Sequence, residues 1–417
     1  MDSGMNNKSV IVLGGGIGGL VAANEIRQLL PKNHRVILIE RNETHAFAPS
    51  FLWVMTGTRQ PQQIVRPTRS LLRPGVEFVL ASVNAIDTAR SVVETDDGQI
   101  SYDYLIVALG AELAPRNIPG LEEASHTYYT LDGSTRLHSA LKEFQGGGIA
   151  LVVASMPYKC PGAPLEGAML IADFLNKTSH SRGVDLHLFT PESQPMPVAG
   201  PVLGSTAIKM LSARGISYHP FHKLKSVNPE SKQLEFEGNG SFGFDMLVTI
   251  PPHVAPQVVR QSALANESGW IPVDRSSLVT KVANVFAIGD NTSIPIPGRW
   301  KPDVPLMLPK AGVFAHVQAT VVAKRIAATV LGRESDASFC GDGYCMLEAG
   351  EDLAGFAYGN FFAEPSPEVK LKQIGKAWHI GKVLFEKWWL EPYGIRKDIY
   401  KQCIAQGSRV MGIPSGI

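Results

Sequence analysis

The sequence predicts an α/β protein with two Rossmann-like dinucleotide-binding domains and a C-terminal amphipathic region. Three observations predict it. An apolar run, Ser9–Leu13, leads directly into a glycine-rich turn and a helical stretch. A second segment of the same layout, 148–166, carries prolines and a cysteine where the glycines would stand. Two later strand-like segments, 102–110 and 284–290, end in small-residue turns of the kind that close a dinucleotide site.

Ser9-Val-Ile-Val-Leu13 reads as a buried parallel strand. Gly14-Gly-Gly16-Ile-Gly-Gly19 fits GxGxxG, a helix follows over 20–30, and 35–39 forms the second strand. Glu40 closes that strand roughly 20 residues beyond the turn, where an acidic side chain accepts hydrogen bonds from ribose hydroxyls. Gly14 allows the tight turn, Gly16 the approach of phosphate, and Gly19 the packing of helix on strand. The helix N-terminus then faces a pyrophosphate. Ile17, Gly18, Arg41 and Val83 are placed with these as cofactor-binding positions. The strand over 102–110 ends at Gly110, and the one over 284–290 ends in Gly289-Asp290, where Asp290 would bond a ribityl chain. In that order with the first turn, the two segments select FAD. The chain is expected to leave the FAD domain near 112 and return near 270. The expected parts are therefore 1–112 and 269–332 for FAD, 113–268 for a second domain without a nicotinamide motif, and 333–417 for a C-terminal region.

In the second turn, Tyr158-Lys-Cys-Pro-Gly-Ala-Pro-Leu-Glu166 lacks the glycines that let a pyrophosphate approach. A dinucleotide does not easily sit there, and a thiol does. Cys160 precedes a helix expected from Ala163, and a helix N-terminus with Lys159 nearby favours a thiolate. Glu166 can move protons on a thiol or serve the helix dipole; the sequence leaves both open. Cys345 opens a strand-like run over 344–348, and Cys340 competes with it as partner of Cys160, with Cys345 preferred. Cys403 reads as an incidental thiol on an amphipathic helix. Lys310 stands before a helix over 311–331, where its cation can serve the reduced flavin. His253 and His316 read as structural histidines.

Composition narrows the class. With 44% hydrophobic and 18% charged residues the chain folds, and a net charge of +1 implies no nucleic-acid partner. Four cysteines fit neither a disulfide scaffold nor a zinc knuckle, so no metal is expected. The polar N-terminus lacks the pattern of a signal peptide, and no apolar stretch reaches the roughly 18–20 residues of a membrane span. The expected location is the cytoplasmic face of a membrane, bound peripherally. Residues 366–417 carry nine Lys/Arg against four Asp/Glu. There, Leu371, Ile374, Trp378, Phe385 and Trp388 recur at a helical spacing, so a basic amphipathic helix is expected to lie on an anionic lipid surface.

These segments resemble the sulfide:quinone oxidoreductases and the flavoprotein subunit of flavocytochrome c sulfide dehydrogenase. The resemblance rests on 47–57, 158–166, Ile250-Pro-Pro-His253, Gly269-Trp-Ile-Pro-Val-Asp274, Leu308-Pro-Lys-Ala-Gly312 and Gly343-Tyr-Cys-Met-Leu-Glu348, in that order. It implies a glutathione-reductase-like fold with the FAD domain split in sequence. It also implies Cys160 and Cys345 as the paired cysteines, with hydrosulfide opening a disulfide or sulfur-bridged form and electrons passing through FAD to membrane quinone. A homo-oligomer is compatible with it. The alternatives are transfer to cytochrome c, or an FAD protein that senses redox state without turnover. The chain departs from the family in having no third cysteine over 126–131.

Overall fold

The computed structural model describes residues 7–178 and 183–413. The N-terminal unit begins with β1 (Ser9–Leu13), α1 (Ile17–Leu29) and β2 (Arg35–Glu40). It continues through a short helix α2 (Phe51–Met55), β3 (Glu77–Leu80) and β4 (Tyr104–Val107). The chain then builds a second unit from β5 (Gly147–Val153), α3 (Ala163–Lys177), β6 (Val184–Phe189), β7 (Ile216–His219) and β8 (Met246–Ile250). It returns through β9 (Val285–Ala287) and the long helix α4 (Gly312–Val330). An antiparallel sheet follows, β10 (Asp342–Gly350), β11 (Leu353–Asn360) and β12 (Glu368–Gly375), and helices α5 (Lys376–Leu390) and α6 (Ile395–Met411) close the chain.

The first sheet has the order β9-β4-β1-β2-β3 and is parallel throughout. Val10 to Leu13 are fully buried, which is why this strand reads as a continuous apolar run without alternation. The second sheet, β7-β6-β5-β8, is also parallel. Two units built on parallel sheets are present, as the expected fold class requires, and β9 joins the first sheet beside β4 although more than a domain of sequence separates them.

The C-terminal region departs from the expected single amphipathic helix. Residues Glu368–Gly375 form a strand, not a helix, pairing Val369 with Gly359 and Leu371 with Ala357. The alternation of Val369 and Leu371 with charged residues is the period of a strand, and it overrides the spacing of three between Leu371 and Ile374. Helix α5 begins only at Lys376. Its tryptophans do not form a lipid-facing row. Trp388 and Trp389 are buried in the core of the first unit, where Trp389 stacks on Phe47. Trp378 stacks on Phe356 and donates its indole N–H to the Gln373 carbonyl. Among the described residues, the exposed large apolar side chains of this region are instead Ile380, Ile395, Ile399 and Val410.

Candidate active site

The glycine-rich turn is shaped by contacts that only glycine permits. Gly14 has φ +99°, and a Cβ there would stand 2.6 Å from the Ala108 carbonyl oxygen. A Cβ on Gly19 would collide with the carbonyl oxygen of Gly14. Gly16 faces open space, and no side chain caps the N-terminus of α1, so its free N–H groups point into a cavity. Glu40 accepts hydrogen bonds from the amides of Gly15 (2.6 Å) and Asn42 (2.8 Å), which fixes its carboxylate beside the turn. Arg41 and Val83 line the same cavity, Arg41 lying 3.6 Å from Glu112.

The cavity measures about 1500 Å³ and runs from Gly14, Gly16, Ile17 and Gly18 past Gly110, Gly289 and Asp290 to Lys310 and Cys160. That exceeds the roughly 300–1,000 Å³ of a pocket for a drug-sized ligand and suits an extended dinucleotide. Asp290 tests the fit. Its Oδ1 is buried with no hydrogen-bond partner among the described residues, and burial raises its pKa. A buried orphan oxygen aimed into a cavity is a place for a ligand hydroxyl. Lys310 is held differently from a free cation. Its Nζ donates to the carbonyls of Asp290 (2.6 Å) and Thr292 (3.1 Å) and lies 3.4 Å from the Trp270 ring centroid. Burial pulls its pKa down to about 8, against the pull of Asp290.

At the other end, the loop before α3 carries Cys160 in the left-handed region, φ +55°, a conformation few non-glycine residues adopt. Its surroundings over-determine it. The Cys160 amide donates to the Lys310 carbonyl (2.7 Å), and the Tyr129 hydroxyl donates to the Lys159 carbonyl (2.8 Å). The Tyr128 hydroxyl donates to the Ala163 carbonyl (2.9 Å), and the Tyr158 hydroxyl to Glu192 (2.9 Å).

Cys345, on β10, comes to the same place. A Cβ built on Gly162 would stand 3.7 Å from the Cys345 sulfur and 3.7 Å from Glu166 Oε2. Cys345 and Glu166 thus meet at the glycine two residues after Cys160. Cys340 lies outside this cluster, exposed near the Ser338 carbonyl, and Cys403 is exposed on α6. All four are free thiols. The expectation that Lys159 and the α3 N-terminus would favour a Cys160 thiolate is not met. Burial, then the charge of Glu166, pushes the thiol up to about 12, with Lys382 and the Ala163 amide opposing. The Cys345 thiol is likewise raised by burial and by Cys160.

Two residues at this site escaped the sequence reading. Lys382 belongs to the basic segment 366–417, yet it is 8% exposed and its Nζ lies 2.7 Å from Glu166 Oε1. Glu348, 1% exposed, lies 3.8 Å from Lys382 and 2.9 Å from His379. Its backbone amide donates to Glu166 (3.0 Å). No local signal marks Glu348: on a strand, where side chains alternate, it faces opposite to Cys345, and its partners are distant in sequence. His253 and His316 are held neutral by burial, their pKa values lowered to about 3 and about 4. His253 packs on Tyr129 and is not part of the cavity lining, whereas His316 lines the cavity beside Trp388, its Nδ1 without a partner among the described residues.

Known proteins share this fold. Residues 8–319 match the pyridine nucleotide-disulphide oxidoreductase family. The chain is 29% identical over 308 residues to the mitochondrial sulfide:quinone oxidoreductase of Mus musculus, covering 70% of this chain and 67% of that protein. It is 28% identical over 399 residues to the sulfide-quinone reductase of Aquifex aeolicus, covering 92% and 90%. The crystal structure of the sulfide:quinone oxidoreductase from Aquifex aeolicus superimposes with a TM-score of 0.81 at 25% identity, covering 91% and 90%. The chain therefore belongs to the pyridine nucleotide-disulphide oxidoreductase family, resembles the sulfide:quinone oxidoreductases along nearly its whole length, and is an FAD-dependent oxidoreductase.

Proposed function

We propose that the protein oxidises hydrosulfide to zero-valent sulfur, released as growing polysulfide, and passes the electrons to membrane quinone. One observation carries this reading. Cys160, Cys345 and Glu166 converge around Gly162 at one end of a cavity whose other end is a dinucleotide cradle. Gly14, Gly16, Ile17, Gly18, Gly19, Glu40, Arg41, Val83, Gly110, Gly289, Asp290 and Lys310 would hold FAD along that cavity. Bound FAD supplies a two-electron acceptor between sulfur and quinone. Hydrosulfide opens a disulfide, or sulfur bridge, between Cys160 and Cys345 by thiol–disulfide exchange. Glu166 takes a proton from sulfur, and the Lys382 ammonium beside it offsets the negative charge of both. NAD(P)H is not the donor in this reading, because Tyr158, Pro157 and Pro161 fill the second turn and Tyr158 is bonded to Glu192.

Quinone is favoured over a cytochrome by what lies around α5 and α6. His316, Phe314, Phe361 and Phe385 line one wall of the cavity, an apolar surface with one unpartnered imidazole nitrogen. On α6, Ile395, Ile399 and Val410 are exposed beside exposed Arg396, Lys401 and Arg409. Such a face suits an anionic bilayer surface, each basic residue contributing about 1 kcal/mol. No helix among the described residues is long and apolar enough to cross a membrane. The test is steady-state reduction of a short-chain quinone by the FAD-loaded protein. Sulfide is expected to support it and NADH to leave the quinone oxidised; turnover with NADH alone would overturn the reading.

A further inference from the structure

Behind the cysteines, a line of buried charges leads out of the protein. Glu166 Oε1 meets Lys382 Nζ at 2.7 Å, Lys382 Nζ lies 3.8 Å from Glu348 Oε1, and Glu348 Oε2 is 2.9 Å from His379 Nδ1. His379 Nε2 then lies 3.9 Å from Asp352, whose side chain is 72% exposed in the β10–β11 turn. Trp53 roofs the line, its ring 5.4 Å from the Lys382 ammonium and 5.7 Å edge-on from His379. Glu348 Oε1 makes no hydrogen bond among the described residues. Two buried carboxylates and one ammonium are a costly way to join α3, β10 and α5, since apolar side chains of similar volume hold elements together as well. The group carries one more negative than positive charge unless His379 or a carboxylate holds a proton.

We infer that Lys382, Glu348 and His379 form a proton outlet that carries the proton of oxidised sulfide from Glu166 to solvent at Asp352. This rests on the reading that sulfide is oxidised at the Cys160–Cys345 pair. When hydrosulfide opens the pair, a new S–S bond forms, the Sγ–Sγ bond breaks, and the products are one thiolate and one persulfide S–H. The electron pair leaves by way of FAD to quinone. The S–H proton passes to Glu166. Lys382 takes it from Glu166 as it gives one of its own to Glu348 after a short swing of its flexible stem. Glu348 passes the proton to His379, which releases it at the surface. Lys382 ends as charged as it began, so the passage leaves no additional charge buried. Glu348, Lys382 and His379 touch neither sulfur nor flavin in this account; they act through Glu166.

The test is anaerobic stopped-flow mixing of FAD-loaded protein with sulfide. His379→Ala is expected to bleach the flavin about 10- to 100-fold more slowly than wild type, and imidazole in the buffer to restore most of the rate. A merely structural role for the ring would not be rescued in this way. Glu348→Gln is expected to be slowed similarly without rescue. His379→Ala bleaching at the wild-type rate, or slow bleaching unchanged by imidazole, overturns the outlet. So does Glu348→Gln bleaching at the wild-type rate, which decides the matter should His379→Ala fail to fold. Wild-type protein that sulfide does not bleach overturns the functional reading itself and the outlet with it.

Discussion

Lys382 and Glu166, 216 residues apart, form a buried ion pair at 2.7 Å beside two cysteines. The pair joins helix α5 to the first turn of α3, so the last part of the chain completes a site begun in the second unit. Lys382→Met would leave Glu166 buried without its counter-charge. The expected loss of stability is about 3–5 kcal/mol, read as a lower midpoint in urea. Lys382 also lowers the pKa of both thiols, so alkylation of Cys160 by iodoacetamide at fixed pH is expected to slow in this variant.

Cys160→Ser and Cys345→Ser are each expected to retain FAD and to lose sulfide-driven quinone reduction by at least about 100-fold, as loss of a covalent partner does. Cys340→Ser and Cys403→Ser, at exposed positions outside the cluster, are expected to stay near wild type. An active Cys345→Ser beside an inactive Cys340→Ser would show that the pairing drawn from the geometry is wrong.

Flavin retention should hinge on the turn. In Gly19→Ala the new methyl collides with the Gly14 carbonyl, which must shift together with the N-terminus of α1. Protein purified from this variant is expected to carry little flavin, measured as flavin absorbance per chain. Stoichiometric flavin would mean that the turn yields more easily than its contacts indicate.

Glu192 makes a signed pH prediction. Burial raises its carboxyl from 4.5 to about 7. A carboxyl whose folded pKa is raised binds more protons in the folded state, so it costs stability as pH rises from about 4.5 to about 7. The loss is about 3 kcal/mol, complete above the folded value. His253 and His316, with lowered folded pKa values of about 3 and about 4, act in the opposite direction as pH rises toward 6.5. The difference between wild type and Glu192→Gln isolates the carboxyl. Urea midpoints of the two proteins are expected to diverge between pH 5 and pH 7, roughly the window set by these values. Parallel curves would contradict it.

Membrane docking separates from the buried tryptophans. Ile395→Ser with Ile399→Ser is expected to reduce co-flotation with anionic vesicles while leaving the melting midpoint near wild type, since both side chains are exposed. Trp389→Phe is expected to do the reverse. It removes the indole N–H that donates to His45 Nε2 (2.9 Å), and the other nitrogen of that ring bonds the Gly15 carbonyl (3.0 Å) in the dinucleotide turn.

These contrasts follow what local sequence can express. The turn over 14–19, the loop around Cys160 and the strand ends at Gly110 and Asp290 are legible because glycine, proline and apolar runs act on their own neighbours. The return of β9 to the first sheet is legible because its strand end carries Gly289-Asp290. Lys382 is not legible, because a lysine on an amphipathic helix reads as solvated until its carboxylate partner is found 216 residues away. The strand Glu368–Gly375 is not legible, because its alternation is short and runs into a helix whose aromatic residues continue a spacing of three and four. Trp388 and Trp389 look interfacial by composition, whereas their burial depends on Phe47 and His45 in another part of the chain.

The central claim is that electrons enter through the paired cysteines and not from a nicotinamide. Its most direct measurement is anaerobic mixing of oxidised, FAD-loaded protein with sulfide in one syringe and with NADH in another, following the flavin band through a single reduction. Rapid bleaching by sulfide, absent in Cys160→Ser, with no bleaching by NADH, is the predicted result. Rapid bleaching by NADH, or sulfide bleaching that survives Cys160→Ser, would contradict the account.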